Sequence, residues 1–318
     1  MAKIAVLGAI NLDINLFVER LPKVGEEVPV REITRIPGGK GANIAVSASR
    51  IIGPGKVALI GCLGFDSIAE EQLRILREEG VDTLGVKRGG DVESGQADIL
   101  IDEHGRNVIN TLFGANLKLT AQDIDSDPIE NILTNCKIAV IVDPPLDVIE
   151  KAARKVHYAG GVVVWHPGVR STLGMKKLMD VLRVVDYLVL NEVEVENLSG
   201  TSDMSEAYRR LVEVKGQIRL VVTLGEKGCS SISREGRIDI SGVNLEEYGM
   251  RAVNTVGCGD AFLGVFAAYK AEGLSDLEAL RRANAAGAYK ATRRETRGSP
   301  TRRHLDDFLA MLTSKKYV

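Results

Sequence analysis

The feature that most constrains the fold of this chain is a repeated alternation of short apolar runs with longer amphipathic segments. The short runs are rich in Val, Ile and Leu and predict strands. Because such strands have no polar face, they predict a mostly parallel sheet that is covered by helices on both sides. The predicted strands cover residues 3–7, 57–60, 138–142, 161–165, 187–190 and 220–224. The predicted helices cover residues 42–52, 67–79, 146–159, 174–183, 203–215, 260–272, 275–292 and 302–313.

Two segments break this alternation and predict a second, smaller sheet. The first, at about residues 14–36, is mixed and extended. The second, at about residues 95–113, alternates around a turn at residues 102–105, which is a hairpin pattern. Together they predict a small antiparallel sheet that projects from the main body as a lid. No linker rich in Pro or Ser divides the chain, so residues 1–318 are expected to form a single domain.

The charge and the cysteine content limit the possible partners. The net charge of −2 and the isoelectric point near 6.2 give no general attraction to nucleic acid or to anionic lipid, so a small-molecule partner is expected. The longest stretch without Asp, Glu, Lys or Arg covers residues 156–169, which is shorter than the roughly 20 residues of a membrane span. Four isolated cysteines and the lack of a paired histidine motif predict reduced thiols, a cytoplasmic protein and no structural zinc site.

Residues 254–262, with the sequence NTVGCGDAF, place two glycines and an aspartate directly before an apolar helical run. A glycine-rich turn that opens a helix leaves N–H groups unpaired, so the amides of Gly257, Cys258 and Gly259 are predicted to stabilise a phosphoryl group. Asp260 could then accept a proton from an attacking hydroxyl. The alternative is an aspartate that only caps the helix behind a glycine turn, and the residues alone leave both interpretations open.

Two common nucleotide-binding signatures are absent from the sequence. The Gly-Lys pairs at residues 39–40 and 55–56 lack the earlier glycine and the following Ser or Thr of a Walker A loop, and no GxGxxG follows the first strand. Residues 37–43 form instead a glycine-rich PGGKGAN turn ahead of a helix. Taken alone, its glycines could belong to an ordinary loop and Asn43 could be a helix cap.

Several motifs together resemble those of the ribokinase-like (PfkB) carbohydrate kinases. NTVGCGDAF resembles the family's DTxGAGD signature, and PGGKGAN resembles its N-terminal signature. Supporting matches are GAINLD at residues 8–13, NEVE at residues 191–194 and TLGEKG at residues 223–228, all in the family's order. The resemblance spans nearly the whole chain. It implies a single PfkB-type kinase domain with a three-layer α/β/α fold, a central, mostly parallel sheet and a small β-sheet lid.

Within the family the chain is most similar to the ribokinases, and this resemblance implies a role for each motif. Asp260 would be the catalytic base, the amides of residues 257–259 would form the anion hole, and Glu194 would organise Mg²⁺ indirectly. The residues implied to bind the sugar are Asn11, Asp13, Gly38, Gly39, Lys40, Asn43 and Asp143. The residues implied to bind the nucleotide are Asn191, Thr223, Gly225, Gly228, Gly257, Gly259 and Asn284.

Two residues depart from the family pattern. Asn254 stands where the family signature begins with Asp, so the K⁺ site implied at Asn254 and Ser299 has lost a carboxylate. Asp143 stands where ribokinases carry Glu, and it either reaches the sugar or belongs to a strand-end turn before two prolines. The basic run at residues 292–304 is interpreted as a solvated helix end and loop, with polyanion binding as the alternative.

The resemblance implies transfer of the terminal phosphate of ATP to the primary hydroxyl of a pentose, D-ribose above all, with Mg²⁺ as cofactor. The alternatives are kinases of the same fold that act on nucleosides, sugar phosphates or 2-keto-3-deoxy acids. Phe17 and Phe113 are the only aromatic residues of the predicted lid, which is a thin wall for a nucleobase. A non-catalytic sugar-binding protein is the third hypothesis, and the presence of Asp260 together with both signature glycines argues against it.

The second lid segment has apolar residues on both of its faces, namely Ile99, Ile101, Val108 and Ile109. A sheet that is apolar on both faces cannot leave both in water, so part of the lid is expected to be covered by a partner subunit. The resemblance implies that this partner is a second copy of the chain, in a homodimer through the lid.

Overall fold

The computed structural model describes residues 2–104 and 106–314, which form two sheets and the helices around them. The larger sheet consists of β1 (Ile4–Leu7), β4 (Val57–Leu63), β5 (Val86–Arg88), β8 (Ile138–Ile141), β9 (Val162–Trp165), β10 (Tyr187–Asn191), β11 (Arg219–Thr223), β12 (Gly228–Ser233) and β13 (Gly236–Ser241). The smaller sheet consists of β2 (Asn11–Val18), β3 (Val30–Gly38), β6 (Gly95–Ile101) and β7 (Asn107–Leu112). The helices are α1 (Lys40–Ile52), α2 (Ser67–Glu78), α3 (Ile129–Asn135), α4 (Leu146–Tyr158), α5 (Gly174–Leu182), α6 (Glu192–Ser199), α7 (Met204–Val214), α8 (Cys258–Ala271), α9 (Asp276–Ala291) and α10 (Arg302–Ser314).

The larger sheet is mostly parallel. Its strand order is β13-β12-β11-β10-β9-β8-β1-β4-β5, and all neighbouring pairs from β11 to β5 run parallel. Only the hairpin of β12 and β13 runs antiparallel at one edge. The chain continues from β1 to one side through β4 and returns to the other side through β8, and the change of direction leaves a crevice at the carboxyl ends of these strands.

Helices cover both faces of this sheet, which confirms the predicted three-layer α/β/α fold. Strand β1 contributes to both layers, because Ile4 and Val6 belong to one apolar core whereas Ala5 and Leu7 belong to the other. Helices α1, α2, α8, α9 and α10 pack on the first face, and helices α3 to α7 pack on the second. The buried parallel strands β1, β4, β8 and β9 carry no charged side chain, whereas β10 and β11 end in Asn191 and Thr223 at their carboxyl ends.

The smaller sheet has the order β3-β2-β6-β7. It was predicted to be antiparallel throughout, but its central pair, β2 and β6, runs parallel, so that prediction is wrong. The physical reason is the connection: the chain passes through the main sheet between β2 and β6, and only β2 with β3 and β6 with β7 are joined closely enough to run antiparallel. Gly105, in the predicted turn between β6 and β7, lies outside the described residues.

All predicted elements of the main body are present, with small changes at their ends. Helices α1 and α8 begin at Lys40 and Cys258, two residues before the predicted starts at Ala42 and Asp260, so both glycine-rich motifs lie directly at helix starts. Strands β5, β12 and β13 and helices α3 and α6 were not among the predicted elements. Within the described residues, no helix is both long enough and apolar enough to cross a membrane.

Candidate active site

The residues implied to bind the sugar, namely Asn11, Asp13, Gly38, Gly39, Lys40, Asn43 and Asp143, are called the sugar side below. Most of them lie where the smaller sheet joins the main body. Asn11 and Gly38 are direct partners across β2 and β3, and Asn11 also pairs with Gly95 of β6. The side-chain oxygen of Asn11 accepts a hydrogen bond from Asn116 Nδ2 at 2.8 Å, and Asn116 Oδ1 accepts one from the N–H of Ile10 at 2.9 Å. These contacts fix the base of the smaller sheet against the end of β1.

Asp13 lies in β2 with only 6% of its surface exposed. Its carboxyl atoms stand so close to Gly38 that a Cβ at that position would lie 2.1 to 2.2 Å from them, so only glycine fits there. Within the described residues, no protein group donates a hydrogen bond to this carboxylate. Burial raises the pKa of Asp13 to about 6, the charge of Asp260 also raises it, and Arg297 lowers it. The site therefore holds a carboxylate whose acceptor oxygens are free for a ligand.

Asn43 links the residues around Asp13 to the glycine-rich motif at residues 254–262. It lies in α1, is 5% exposed, and donates a hydrogen bond from Nδ2 to Asp260 Oδ2 at 2.8 Å. Its Oδ1 accepts a hydrogen bond from Arg297 Nε at 2.9 Å, and Arg297 Nη2 donates to the main-chain oxygen of Gly38 at 2.7 Å and to Gln72 Oε1 at 3.1 Å. Because a guanidinium only donates, Arg297 fixes the orientation of the Asn43 amide. Asn43 must then present its N–H to Asp260.

Asp260 lies in the first turn of α8, directly after the glycine turn. Burial raises its pKa, whereas the hydrogen bond from Asn43 and the neighbouring Lys40 and His166 lower it, and the neighbouring Asp143 raises it. Burial is the largest of these effects. Asp260 is thus a carboxylate with a raised proton affinity at the amino end of a helix.

The turn before α8 presents unpaired backbone donors. Gly257 has φ of 85°, and a Cβ there would lie 2.4 Å from the main-chain oxygen of Thr296, so this position requires glycine. The N–H of Cys258 donates to Thr255 O at 3.2 Å, which removes it from the predicted set of free amides. Within the described residues, the N–H groups of Gly257, Gly259 and Asp260 have no hydrogen-bond acceptor. The Cys258 side chain is half-buried, and burial raises the pKa of its thiol, so it fills space.

Lys40 and Asp143 form an ion pair close enough to Asp260 to affect its pKa. Lys40 Nζ, in the first turn of α1 after Gly39, lies 3.6 Å from Asp143 Oδ1, which follows the end of β8. The main-chain oxygen of Asp143 accepts a hydrogen bond from Arg170 Nη2 at 2.8 Å. Asp143 therefore carries an ion pair directly after the carboxyl end of β8.

On the nucleotide side, Asn191 and Glu194 form a reciprocal capping box at the start of α6. Asn191 Oδ1 accepts from the N–H of Glu194 at 2.9 Å, and Glu194 Oε2 accepts from the N–H of Asn191 at 2.9 Å. His166, which follows β9, places Nδ1 3.6 Å from the same Glu194 oxygen. The second carboxylate oxygen of Glu194 accepts no protein hydrogen bond within the described part of the chain.

The other nucleotide-side residues follow the neighbouring strands. Thr223 ends β11 and is the direct partner of Asn191 across the sheet. Gly225 and Gly228 form the turn between β11 and β12, and Asn284 of α9 donates from Nδ2 to the main-chain oxygen of Ser241 at 3.0 Å. These positions lie on strand ends and one helix face; Gly225 is exposed, Thr223 and Asn284 are partly buried, and Gly228 is buried.

Asn254 and Ser299, the positions implied for a monovalent cation, are both held by protein donors. The main-chain oxygen of Asn254 accepts a hydrogen bond from Lys290 Nζ at 2.9 Å, and the main-chain oxygen of Ser299 accepts one from Arg50 Nη1 at 2.8 Å. Within the described residues, no group of three His, Cys, Asp or Glu side chains could hold a metal ion by itself.

Sequence reasoning missed His166, Lys290 and Arg297. His166 could have been found, because it follows a predicted strand at the same sheet edge as Asp143. Arg297 lies in the basic run that was interpreted as solvated, and for this residue the interpretation is wrong, since only 9% of its surface is exposed. Its neighbours Arg293 and Arg294 are exposed, and nothing in the run distinguishes the buried arginine from the exposed ones.

Comparison with known proteins places this site in a family. A model of the pfkB family of carbohydrate kinases matches residues 1–302. The chain is 31% identical to a ribokinase of Haemophilus influenzae over 311 residues, which cover 96% of this chain and 98% of the relative. It is 30% identical to a deoxyribokinase of Salmonella typhi, with 97% of this chain and 99% of the relative covered.

A solved structure agrees with these relatives. The structure of Arabidopsis thaliana ribokinase complexed with ribose and ATP matches with a TM-score of 0.85 at 28% sequence identity, covering 97% of this chain and 99% of the plant chain. The family model and the curated relatives span nearly the whole sequence. The chain therefore belongs to the pfkB family of carbohydrate kinases.

Proposed function

We propose that the chain transfers the terminal phosphate of ATP to the primary hydroxyl of a pentose, with D-ribose as the preferred acceptor. The observation that carries this proposal is the hydrogen bond between Asn43 and Asp260, because it joins the glycine-rich turn of α1 to the amino end of α8. The relatives support a pentose, since one is named a ribokinase, another a deoxyribokinase, and the solved plant enzyme is complexed with ribose and ATP.

Asp13 and Asn43 are the proposed anchors of the sugar. A carboxylate can accept hydrogen bonds from two neighbouring hydroxyls, and the Asp13 oxygens have no competing protein donor within the described residues. A buried acceptor of this kind discriminates strongly against analogues that lack the hydroxyl, because its oxygens would then stay unpaired. The remaining proposed sugar contacts are Asn11, Gly38, Gly39, Lys40 and Asp143.

Asp260 is the proposed general base. The primary hydroxyl oxygen of the sugar attacks the terminal phosphorus, its proton passes to the Asp260 carboxylate, and the bond to the bridging oxygen breaks to release ADP. The raised pKa of Asp260 supports this role, since a base works best when its pKa approaches the working pH. The free N–H groups of Gly257, Gly259 and Asp260 would meet the charge on the transferred phosphoryl group.

The proposed nucleotide contacts are Asn191, Thr223, Gly225, Gly228, Gly257, Gly259 and Asn284. Mg²⁺ fits this site only as a partner of the nucleotide, because it usually binds one or two carboxylates together with substrate phosphates and waters. Glu194, with one oxygen free of protein donors, would order that hydration shell. When bound, Mg²⁺ would neutralise charge on the phosphate oxygens.

The smaller sheet is proposed to close over the sugar and to pair with a second copy of the chain in a homodimer. It exposes apolar residues to about half of their area on both faces: Ile33 48%, Val108 47% and Leu112 49% on one face, and Ile109 51% on the other. Burying such side chains stabilises association by about 25 cal/mol for each Å² removed from water. We also propose that residues 1–318 act as a single domain in the cytoplasm, where four free cysteines stay reduced.

Steady-state kinetics with MgATP and a panel of acceptors tests the proposal. The panel comprises ribose, 2-deoxyribose, other pentoses, hexoses, nucleosides, sugar phosphates and 2-keto-3-deoxy acids. We expect the highest kcat/KM with ribose. If a nucleoside or a sugar phosphate gives the highest value, the proposed acceptor is wrong. If no acceptor is phosphorylated, the kinase proposal is wrong and a sugar-binding role takes its place.

One second acceptor is favoured by a specific observation, namely 2-deoxyribose. The Salmonella typhi deoxyribokinase matches this chain almost as closely as the Haemophilus influenzae ribokinase. The ratio of kcat/KM for ribose and 2-deoxyribose separates the two, because a site that pairs with the 2-hydroxyl loses a buried hydrogen bond with the deoxy sugar. A ratio below one would reassign the preferred acceptor to 2-deoxyribose.

A further inference from the structure

Lys290 is a buried lysine that the proposed mechanism does not use. It lies in the last turn of α9 with none of its surface exposed, and its ammonium donates a hydrogen bond to the main-chain oxygen of Asn254 at 2.9 Å. Burial lowers the pKa of Lys290, and the neighbouring Cys258, Glu295 and Asp260 raise it. A buried cation is costly unless oxygen atoms hold it, so the position of this ammonium is tied to the turn that begins at Asn254.

Asn254 has each of its polar groups paired inside the protein. Its Oδ1 accepts from the N–H of Val256 at 2.9 Å, and its Nδ2 donates to the main-chain oxygen of Arg294 at 2.7 Å. Its own N–H donates to the main-chain oxygen of Ala291 at 3.1 Å. Toward the loop after α9, this side chain therefore presents an N–H donor where the family signature has a carboxylate.

The main-chain oxygen of Ser299 is held by the guanidinium of Arg50, as that of Asn254 is held by the ammonium of Lys290. Arg50 Nη1 donates to the main-chain oxygens of Ser299 at 2.8 Å and of Arg297 at 2.7 Å, and it lies 3.4 Å from Ser299 Oγ. Glu79 pairs with the other side of the same guanidinium. Both positions implied for a monovalent cation thus already accept hydrogen bonds from positively charged side chains.

K⁺ does not fit these residues. It binds through several oxygen atoms that have free lone pairs, as in rings of backbone carbonyls. The main-chain oxygen of Asn254 accepts a hydrogen bond from the Lys290 ammonium, whose charge would repel K⁺ there, and that of Ser299 already accepts one from Arg50.

We propose that the Lys290 ammonium is a built-in cation of the anion-binding turn, so that phosphoryl transfer by this chain does not depend on a monovalent cation. The part of this inference that concerns activity rests on the proposed function. Lys290 acts as a positioning residue: by holding the oxygen of Asn254 it fixes the turn that leads to Gly257, whose N–H is free for a phosphoryl oxygen. The same turn is pressed against Thr296 O, so it has little room to adjust without this support.

The test replaces choline chloride by potassium chloride at constant ionic strength, which keeps the screening of charges equal. For the wild-type chain we expect kcat and both KM values to change by less than about twofold, whereas a coupled cation typically changes affinity by about 5- to 150-fold. Thermal unfolding of the unliganded protein is the second readout, and we expect no K⁺-specific rise in Tm. Activation by about fivefold or more, or a K⁺-specific rise in Tm, would overturn the proposal.

Lys290→Ala removes the ammonium and leaves the main-chain oxygen of Asn254 without this donor. We expect kcat in choline chloride to fall by about tenfold or more, as when one donor near a developing charge is lost. Potassium chloride or ethylammonium chloride should restore part of the activity, because either cation can enter the vacated space. The matched control is Lys270→Ala, which removes a half-buried lysine that pairs with Asp276 away from this turn. It should lose stability without gaining a response to either salt.

The outcomes separate this inference from the proposed function. If Lys290→Ala gains no response to potassium or ethylammonium, or if Lys270→Ala gains the same response, the built-in cation is wrong. If Lys290→Ala does not fold, the two wild-type readouts still decide. If the wild-type chain phosphorylates no acceptor, the proposed function fails, and the Tm comparison alone tests Lys290.

Discussion

The sugar side and the nucleotide side of the site are built in different ways. On the sugar side, Asp13, Asn43 and Arg297 come from three distant segments, and each is less than a tenth exposed. On the nucleotide side, Asn191 and Glu194 bond to each other within one helix start, and Asn191 is exposed. Tertiary contacts therefore fix the sugar side in advance, whereas local backbone geometry fixes the nucleotide side.

The difference has a physical reason in the two ligands. A neutral sugar is distinguished only by the positions of its hydroxyls, so its partners must be held rigidly before it binds. A nucleotide brings several negative charges and its own Mg²⁺, and backbone N–H groups at strand and helix ends attract it without buried side chains. Substitutions on the sugar side should therefore have larger effects than those on the nucleotide side.

The largest effect is expected for Asp260→Asn, at the junction of the two sides. The amide keeps the shape of the carboxylate but cannot take the proton, so kcat should fall by about 10²- to 10⁴-fold. Sugar binding, measured by calorimetry, should stay within about threefold, because Asp13 and Asn43 remain in place. Asp147→Asn, an exposed aspartate in the first turn of α4, is the control and should leave kcat unchanged. Near-normal turnover of Asp260→Asn would show that another group is the base.

The next largest effect is expected for Arg297→Met. It leaves Asn43 Oδ1, Gly38 O and Gln72 Oε1 without their donor, and each buried acceptor left unpaired costs about 1–3 kcal/mol. The free energy of unfolding in urea should fall accordingly, and the KM for the sugar should rise because the Asn43 amide is no longer oriented.

The control for Arg297→Met is Arg294→Met, which changes an exposed arginine of the same basic run. It should leave the free energy of unfolding and both KM values unchanged. If the two variants behave alike, Arg297 does not organise the sugar side, and the contrast between the two sides loses its main support.

A third effect follows from the raised pKa of Asp13. The folded protein holds a proton on Asp13 up to about pH 6, whereas the unfolded chain releases it near pH 3.8, so stability falls as the pH rises between these values. This rise in pKa corresponds to about 3 kcal/mol. Asp13→Asn removes the buried charge, so the unliganded variant should exceed the wild type in stability above pH 6 and should match it near pH 4.

Urea unfolding over a pH series measures this difference, and sugar binding should change in the opposite direction. Asp13→Asn should lose most of its affinity for ribose, because the amide replaces one acceptor oxygen by a donor. The control is Asp98→Asn, which alters an exposed carboxylate on the same small sheet. Identical pH profiles for wild type and Asp13→Asn would contradict the buried, charged state assigned to Asp13.

The two sides also differ in how far the sequence reveals them. Six strands of the main sheet and eight of its helices have strong local patterns and were predicted, with α1 and α8 starting two residues earlier than expected. The contacts of Arg297 and Lys290 span large separations in sequence, and the sequence contains no signal that tells a buried cation from an exposed one. The hairpin of β12 and β13 was missed because its Ser- and Gly-rich strands lack an apolar run.

The smallest effect is expected for Glu194→Gln, on the nucleotide side. Glutamine can still accept the hydrogen bond from the N–H of Asn191, so the capping box survives and only the negative charge is lost, at about 0.3–1 kcal/mol near a helix start. The KM for MgATP should rise several-fold while the KM for ribose stays constant. Glu192→Gln, in the same helical turn, should change neither value. A larger change in the KM for ribose than in the KM for MgATP would mean that the two sides are coupled through Glu194 and His166. In that case local geometry alone would not fix the nucleotide side.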